Sequence, residues 1–208
     1  FGVNGIFHRE VFYPAGISER RTIAGTCILN EIIVPASLSS ETDSALYDIL
    51  RKAALSIGIN CGCVKGDCIV VEDRPYIIEI SPRLHGNPTM SHAMLLSAGI
   101  SPVQIYFEML AGKNEAVNTM KSFGFKEFAG YRPIFCKSGI FEEMKGVDEA
   151  KKISGVESVE LFVKQGSKMV QYGDNRDIIG YVFGKAASVE EFRSSLDEAC
   201  RRLQIVVS

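Results

Sequence analysis

The 208 residues contain no apolar run approaching the ~18 that a membrane-spanning helix needs. Neither charge is in surplus: 23 Lys and Arg stand against 25 Asp and Glu, so nothing pulls the whole chain toward nucleic acid or anionic lipid. Signal-peptide features are missing, and so is a Met at position 1. Phe1–Phe7 already has the texture of a strand interior, and the chain is therefore expected to be a piece of a longer protein. GxGxxG, HExxH and GxSxG do not occur. Gly180–Ala186 imitates a phosphate loop, but it is one residue short and Ala186 stands where Ser or Thr should follow the lysine. It reads as a strand end. Cys27, Cys61, Cys63, Cys68, Cys136 and Cys200 are too dilute for a disulfide scaffold, and none forms a CxxC pair. They read as free thiols in a reducing, cytoplasmic compartment. His8 and His92 have no partner at ligand spacing.

What is present is a globular composition, 46% hydrophobic and 23% charged, which excludes disorder. A chain of this length can bury roughly 70% of its extended surface and needs no staples. Residues 1–13 and 22–34 read as strands, separated by a break at Tyr13–Gly16. Ser39 or Ser40 caps a helix carrying Leu46, Ile49, Leu50, Ala53, Ala54 and Ile57 at helical spacing, with Gly58 as its stop. Residues 61–71 and 75–81 read as strands and 90–111 as helix, split at Gly99 and Pro102. Lys113–Phe123 reads as a linker. Beyond residue 125 short strands (130–136, 158–164, 168–172, 178–183) alternate with helices (147–153, 188–202) and a closing strand, Leu203–Val207. That tail is a small α+β unit.

The informative stretch is Gly62–Gly86, read as a hairpin turning at Glu72-Asp73-Arg74 and centred on Asp73. Opposed residues then pair Asp67 with Glu79, Lys65 with Ser81, and Cys63 with Arg83. Side chains alternate along a strand, so these odd-numbered residues share one face. The other face carries Val64, Cys68, Val70, Ile78 and Ile80. Two opposed carboxylates repel unless water solvates them or a cation joins them. Mg²⁺ takes one or two carboxylates and completes its shell with phosphate oxygens and water. Arg83 has the fork geometry for a phosphate or carboxylate. A solvated sheet face is the plainer alternative, and Arg20 and Arg21 are either an exposed turn or part of a nucleotide cleft.

Asp67, followed twelve residues later by Glu79-Ile80-Ser81-Pro82-Arg83 and then Leu84-His85-Gly86, resembles the metal-binding segment of ATP-grasp ligases. The resemblance covers about residues 1–113, and 126–207 is similar to the small domain that ends L-amino-acid ligases. It implies an α+β fold: the C-terminal half of an ATP-grasp domain at 1–113, built of antiparallel sheet with helices, a linker at 114–125, and a small α+β domain at 126–208. It implies Asp67 and Glu79 as ligands of Mg²⁺ or Mn²⁺, with Ser81 where the family has Asn. Arg83 becomes the contact to the acyl phosphate or the substrate carboxylate, and Lys65 and Arg20 the contacts to ATP. The family's glycine-rich loop, paired lysines and adenine hinge would precede Phe1, so the chain alone is expected to be inactive. The implied reaction joins a small-molecule carboxylate to an amine through an acyl phosphate, in an enzyme that is a candidate homo-oligomer. The alternatives are a carbamoyl-phosphate-synthase-like or biotin-carboxylase-like enzyme using bicarbonate, or a non-catalytic binding module. No nucleic acid or membrane partner is implied.

Overall fold

Strands β1 (Gly2–His8) and β2 (Val11–Thr22) are joined by a two-residue turn in which Arg9 and Glu10 both take positive φ, 49° and 65°. The expected break at Tyr13–Gly16 is a bulge rather than an end. Gly5 pairs with Pro14 and Asn4 with Gly16, so one extra residue is absorbed and β2 runs on to Thr22.

The computed structural model describes residues 1–208, which fall into two units: Phe1–Glu19 with Ile33–Lys126, and Arg20–Ile32 with Glu127–Ser208. Thus β2 and β3 (Leu29–Val34) each pass from one unit to the other.

In the first unit, helix α1 (Ser40–Ser56) starts at Ser39, whose Oγ accepts the Thr42 N–H at 3.2 Å. Its buried stripe, Leu46, Leu50 and Ala54, packs on one face of a sheet through Val3, Phe7, Val64 and Cys68. Each large side chain buried there contributes roughly 1.5–3 kcal/mol. The sheet also contains β4 (Gly62–Val71) and β5 (Arg74–Ser81), in the order β5-β4-β1-β2. The opposite face buries Ile6, Tyr13, Ala15 and Cys63 against Ile105, Val117 and Met120. A π turn at Thr89–Ala93 leads into α2 (Met94–Ala98), which stops at Gly99, and α3 (Pro102–Leu110) follows with Ser101 as its cap. The stretch read as a linker folds as a 3-10 helix, Asn114–Lys121, because Val117 and Met120, three apart, share a buried side.

In the second unit the chain forms β6 (Phe128–Ile134), β7 (Gly139–Lys145), α4 (Val147–Lys151), β8 (Val156–Leu161), β9 (Lys168–Met169), β10 (Gly180–Ala186), α5 (Val189–Arg202) and β11 (Gln204–Val207). Strands β3, β6, β10 and β8 lie side by side in that order, and β7 sits between β11 and β9. The sequence reading did not find β7, whose Glu142, Glu143 and Lys145 dilute its alternation around buried Phe141. Phe192, Leu196 and Ala199 form the buried side of α5.

The cysteines are free thiols, with Cys63, Cys68 and Cys136 buried. No single helix is long and apolar enough to cross a membrane; Thr89–Ala98 and Pro102–Leu110 reach that length only as a pair bent by 113°.

Candidate functional site

The β4–β5 hairpin positions the carboxylates. Its turn is two residues, Glu72 and Asp73, with φ of 49° and 60°, and Arg74 is already paired with Val71. A turn one residue shorter than expected would shift the register by one and put Glu79 on the core face. A bulge between Asp67 and Cys68 absorbs Ile78 and restores the pairing, so Asp67 faces Glu79 and Lys65 faces Ser81, as the sequence spacing anticipates. The apolar face is corrected in consequence. Ile77, not Ile78, packs toward α1, and Ile78 is 67% exposed. The expected pairing of Cys63 with Arg83 does not occur: Cys63 pairs with Ile6 of β1, and β5 ends at Ser81. Arg83 lies beyond the strand in a turn closed by its N–H to the Ser81 carbonyl, and its exposed Nη1 donates to the Leu84 carbonyl at 3.1 Å.

Lys65 stands between the two carboxylates. Its Nζ is 2.9 Å from Asp67 Oδ2 and 2.7 Å from Glu79 Oε1, and its side chain is only 4% exposed. Glu79 also accepts the Ser81 hydroxyl at 3.2 Å, and its side chain is 56% exposed. The Lys65 hydrogen bond and charge, then Ser81, hold the Glu79 carboxyl below its ordinary pKa, against an opposing push from Asp67. Asp67 is 24% exposed and is taken on its other oxygen, Oδ1, by His85 Nε2 at 2.9 Å.

His85 is buried across β1 and β4. Asn4, which pairs with Lys65 in the sheet, turns Oδ1 to the His85 backbone N–H at 3.1 Å and to the ring Nδ1 at 2.9 Å. Because the backbone N–H can only donate, the atom facing Nδ1 is an acceptor, so Nδ1 carries a proton. Nε2 faces the Asp67 carboxylate, so the His85 ring ties Asp67 to Asn4 while Lys65 ties Asp67 to Glu79. Gly2 makes room for the ring: a Cβ there would lie 2.8 Å from Ser18 Oγ and 3.0 Å from His85 Cε1. The sequence reading named Lys65 but not its bridging place, and it passed over Asn4. Register alone would have found Asn4, opposite Lys65, had β1 been paired with β4.

Arg20 and Arg21 belong to the second unit, where Arg21 Nε is 3.8 Å from buried Glu31. Among the described residues no group of three or more His, Cys, Asp or Glu is gathered to hold a metal. The donor set nevertheless suits one hard cation. Glu79 and Ser81 supply exposed oxygens, Oε2 carries none of the bonds above, and Mg²⁺ needs only one or two carboxylates from a protein.

Residues 133–208 match the family described as L-amino acid ligase C-terminal domain 2. Over its whole length the chain superposes on the L-amino acid ligase from Bacillus licheniformis with a TM-score of 0.83, at 22% identity and covering 54% of that chain. The chain has the ATP-grasp fold. It likewise resembles the biotin carboxylase domain of Hydrogenobacter thermophilus 2-oxoglutarate carboxylase, solved with MgADP and bicarbonate (TM-score 0.73, 16% identity, 99% of this chain and 45% of that one). The uncharacterized protein y4rH of Sinorhizobium fredii is 27% identical over 175 residues, 84% of this chain and 35% of its own length. The chain thus spans about half the length of these solved proteins and about a third of that relative.

Proposed function

We propose that the chain supplies the metal and acyl-phosphate side of an ATP-dependent ligase that joins an amino-acid carboxylate to an amine. One observation carries this reading: in an ATP-grasp fold, Asp67 and Glu79 are opposed on neighbouring strands and converge on a single cation position. The match of 133–208 to an L-amino acid ligase domain favours an amino acid over bicarbonate as the carboxylate.

In this reading the carboxylate oxygen of the substrate attacks the γ-phosphorus of ATP and ADP leaves. The amine then attacks the acyl carbon, loses a proton, and inorganic phosphate departs. Mg²⁺ supplies charge neutralisation at the transferring phosphoryl group. Glu79 and Ser81 would offer it their oxygens, with Asp67 opposite Glu79 across the hairpin. Lys65 and His85 keep the Asp67 and Glu79 carboxylates fixed in position. Arg83, exposed just beyond β5, meets the acyl phosphate or the substrate carboxylate with its guanidinium fork.

The test is hydroxylamine trapping in the natural protein that contains this chain, with MgATP and a panel of amino acids. We expect hydroxamate to form together with ADP. Glu79→Gln should cut that turnover at least ~100-fold, a transition-state loss of about 2.7 kcal/mol or more, while the melting temperature stays within a few degrees. Unchanged turnover and unchanged Mg²⁺ dependence in Glu79→Gln would refute the site, and no hydroxamate or ADP from the unmutated protein would leave a binding or assembly module.

A further inference from the structure

We propose that Lys65 is the site's own bridging cation, so that a divalent ion is held through Glu79 and not through Asp67. This rests on the metal reading above and refines it. The position on which both carboxylates converge is taken by the Lys65 ammonium, 2.9 Å from Asp67 and 2.7 Å from Glu79. The ammonium is a compact point charge with three donors. It is buried between β1 and β5, and driving it off both carboxylates would leave an unpaired buried charge.

Asp67 has both oxygens committed, Oδ2 to Lys65 and Oδ1 to His85. It is also the less exposed of the two carboxylates, 24% against 56% for Glu79. Glu79 meets Lys65 and Ser81 through Oε1, which leaves Oε2 for a ligand. Charge points the same way. Affinity for hard cations follows the number of uncompensated ligand charges. Here the Lys65 ammonium already compensates one of the two carboxylate charges, so a divalent ion bridging the pair would meet one net negative charge instead of two. Asp67 is thus a positioning residue: it anchors Lys65, and Lys65 aims Glu79.

The experiment is Mn²⁺ binding to the chain without nucleotide, read by loss of the free-ion EPR signal. Lys65→Met should tighten Mn²⁺ binding at least ~10-fold, because it frees the bridging position between two carboxylates. In the wild-type background Glu79→Gln should weaken binding more than ~10-fold and Asp67→Asn less than ~3-fold. With Lys65→Met in place, Asp67→Asn should cost more than ~10-fold, since Asp67 has then become a ligand. Near-UV circular dichroism verifies each fold. If Lys65→Met does not fold, Lys65→Gln replaces it, and the comparison of Asp67→Asn with Glu79→Gln decides without either. Equal losses for Asp67→Asn and Glu79→Gln in the wild type, or no gain on removing Lys65, overturn the inference and leave the metal site standing. No loss in Glu79→Gln overturns both.

Discussion

At the scale of single residues, burial decides which groups are chemically silent. Cys63 lies among Ile6, Tyr13, Ile105 and Met120, and desolvation pushes its thiol up to about 12. Tyr47 is half-buried, and desolvation of its phenol, then the charge of Asp43, lifts it well above the ordinary value, although the phenol oxygen accepts the Gly16 N–H. Both groups stay protonated in the folded chain while their unfolded counterparts ionise near ~8.5 and ~10. The unfolded state therefore sheds protons first, and stability present below about pH 8.5 is lost as the pH climbs toward 12. Urea midpoints at pH 8 and pH 10.5 should show this fall, and a flat profile would contradict it. At pH 8 in the native state, Ellman's reagent should titrate exposed Cys27 and Cys61 and spare Cys63, Cys68 and Cys136.

At the scale of elements, both β-hairpins of the first unit turn through two non-glycine residues at positive φ, Arg9-Glu10 and Glu72-Asp73. Such a conformation costs an L-residue with a Cβ roughly 1–2 kcal/mol, and Asn-Gly is the pair that two-residue turns of this hand prefer. The double change Glu72→Asn, Asp73→Gly should therefore raise stability by about 1 kcal/mol and leave the Asp67–Glu79 pairing intact. A thermal melt that does not move upward would show that the turn is not strained. The compensating bulge at Ile78 is the more consequential device. It alone turns Glu79 away from the α1 side and onto the face of Asp67. The hairpin centred on Asp73 in the sequence reading has the right register at the carboxylates through two departures that cancel: a shorter turn and an inserted residue.

At the scale of the whole molecule, the unexpected feature is that 20–32 belongs with 127–208. Glu31, 2% exposed, accounts for it. Its carboxylate accepts Arg193 Nε at 2.8 Å and Arg132 Nη2 at 3.1 Å, and Arg132 also pairs with Asp197. Burial works against the Arg132 charge, and its bonds to Asp197 and Glu31 outweigh that, raising its pKa. Nearby, the Leu29 N–H donates to Asn175 Oδ1 at 2.6 Å. Breaking a buried ion pair from one side typically costs about 3–5 kcal/mol. Glu31→Gln should destabilise the second unit by that amount in denaturant titration. A loss below about 1 kcal/mol, the scale of an exposed pair, would show that the cluster does not hold 20–32 in place.

Local rules of period and capping are enough to find α1, its Ser39 cap and the two strands of the β4–β5 hairpin, because each depends on residues close in the chain, whereas the shared face of Asp67 and Glu79 also needs the bulge at Ile78. The same rules miss β7, whose charges mask its alternation, and misread 114–121, whose helicity follows from burying Val117 and Met120. The partners of the buried polar groups are contacts that no local pattern encodes. His85 reaches Asn4 across 81 residues, and Arg193 reaches Glu31 across 162. Lys65 lies only two positions from Asp67, yet whether its ammonium turns to water or between two carboxylates depends on β1 and β5 closing over it. Side-chain parity is a property of one strand, whereas the partner of a buried charge is a property of every element packed around it.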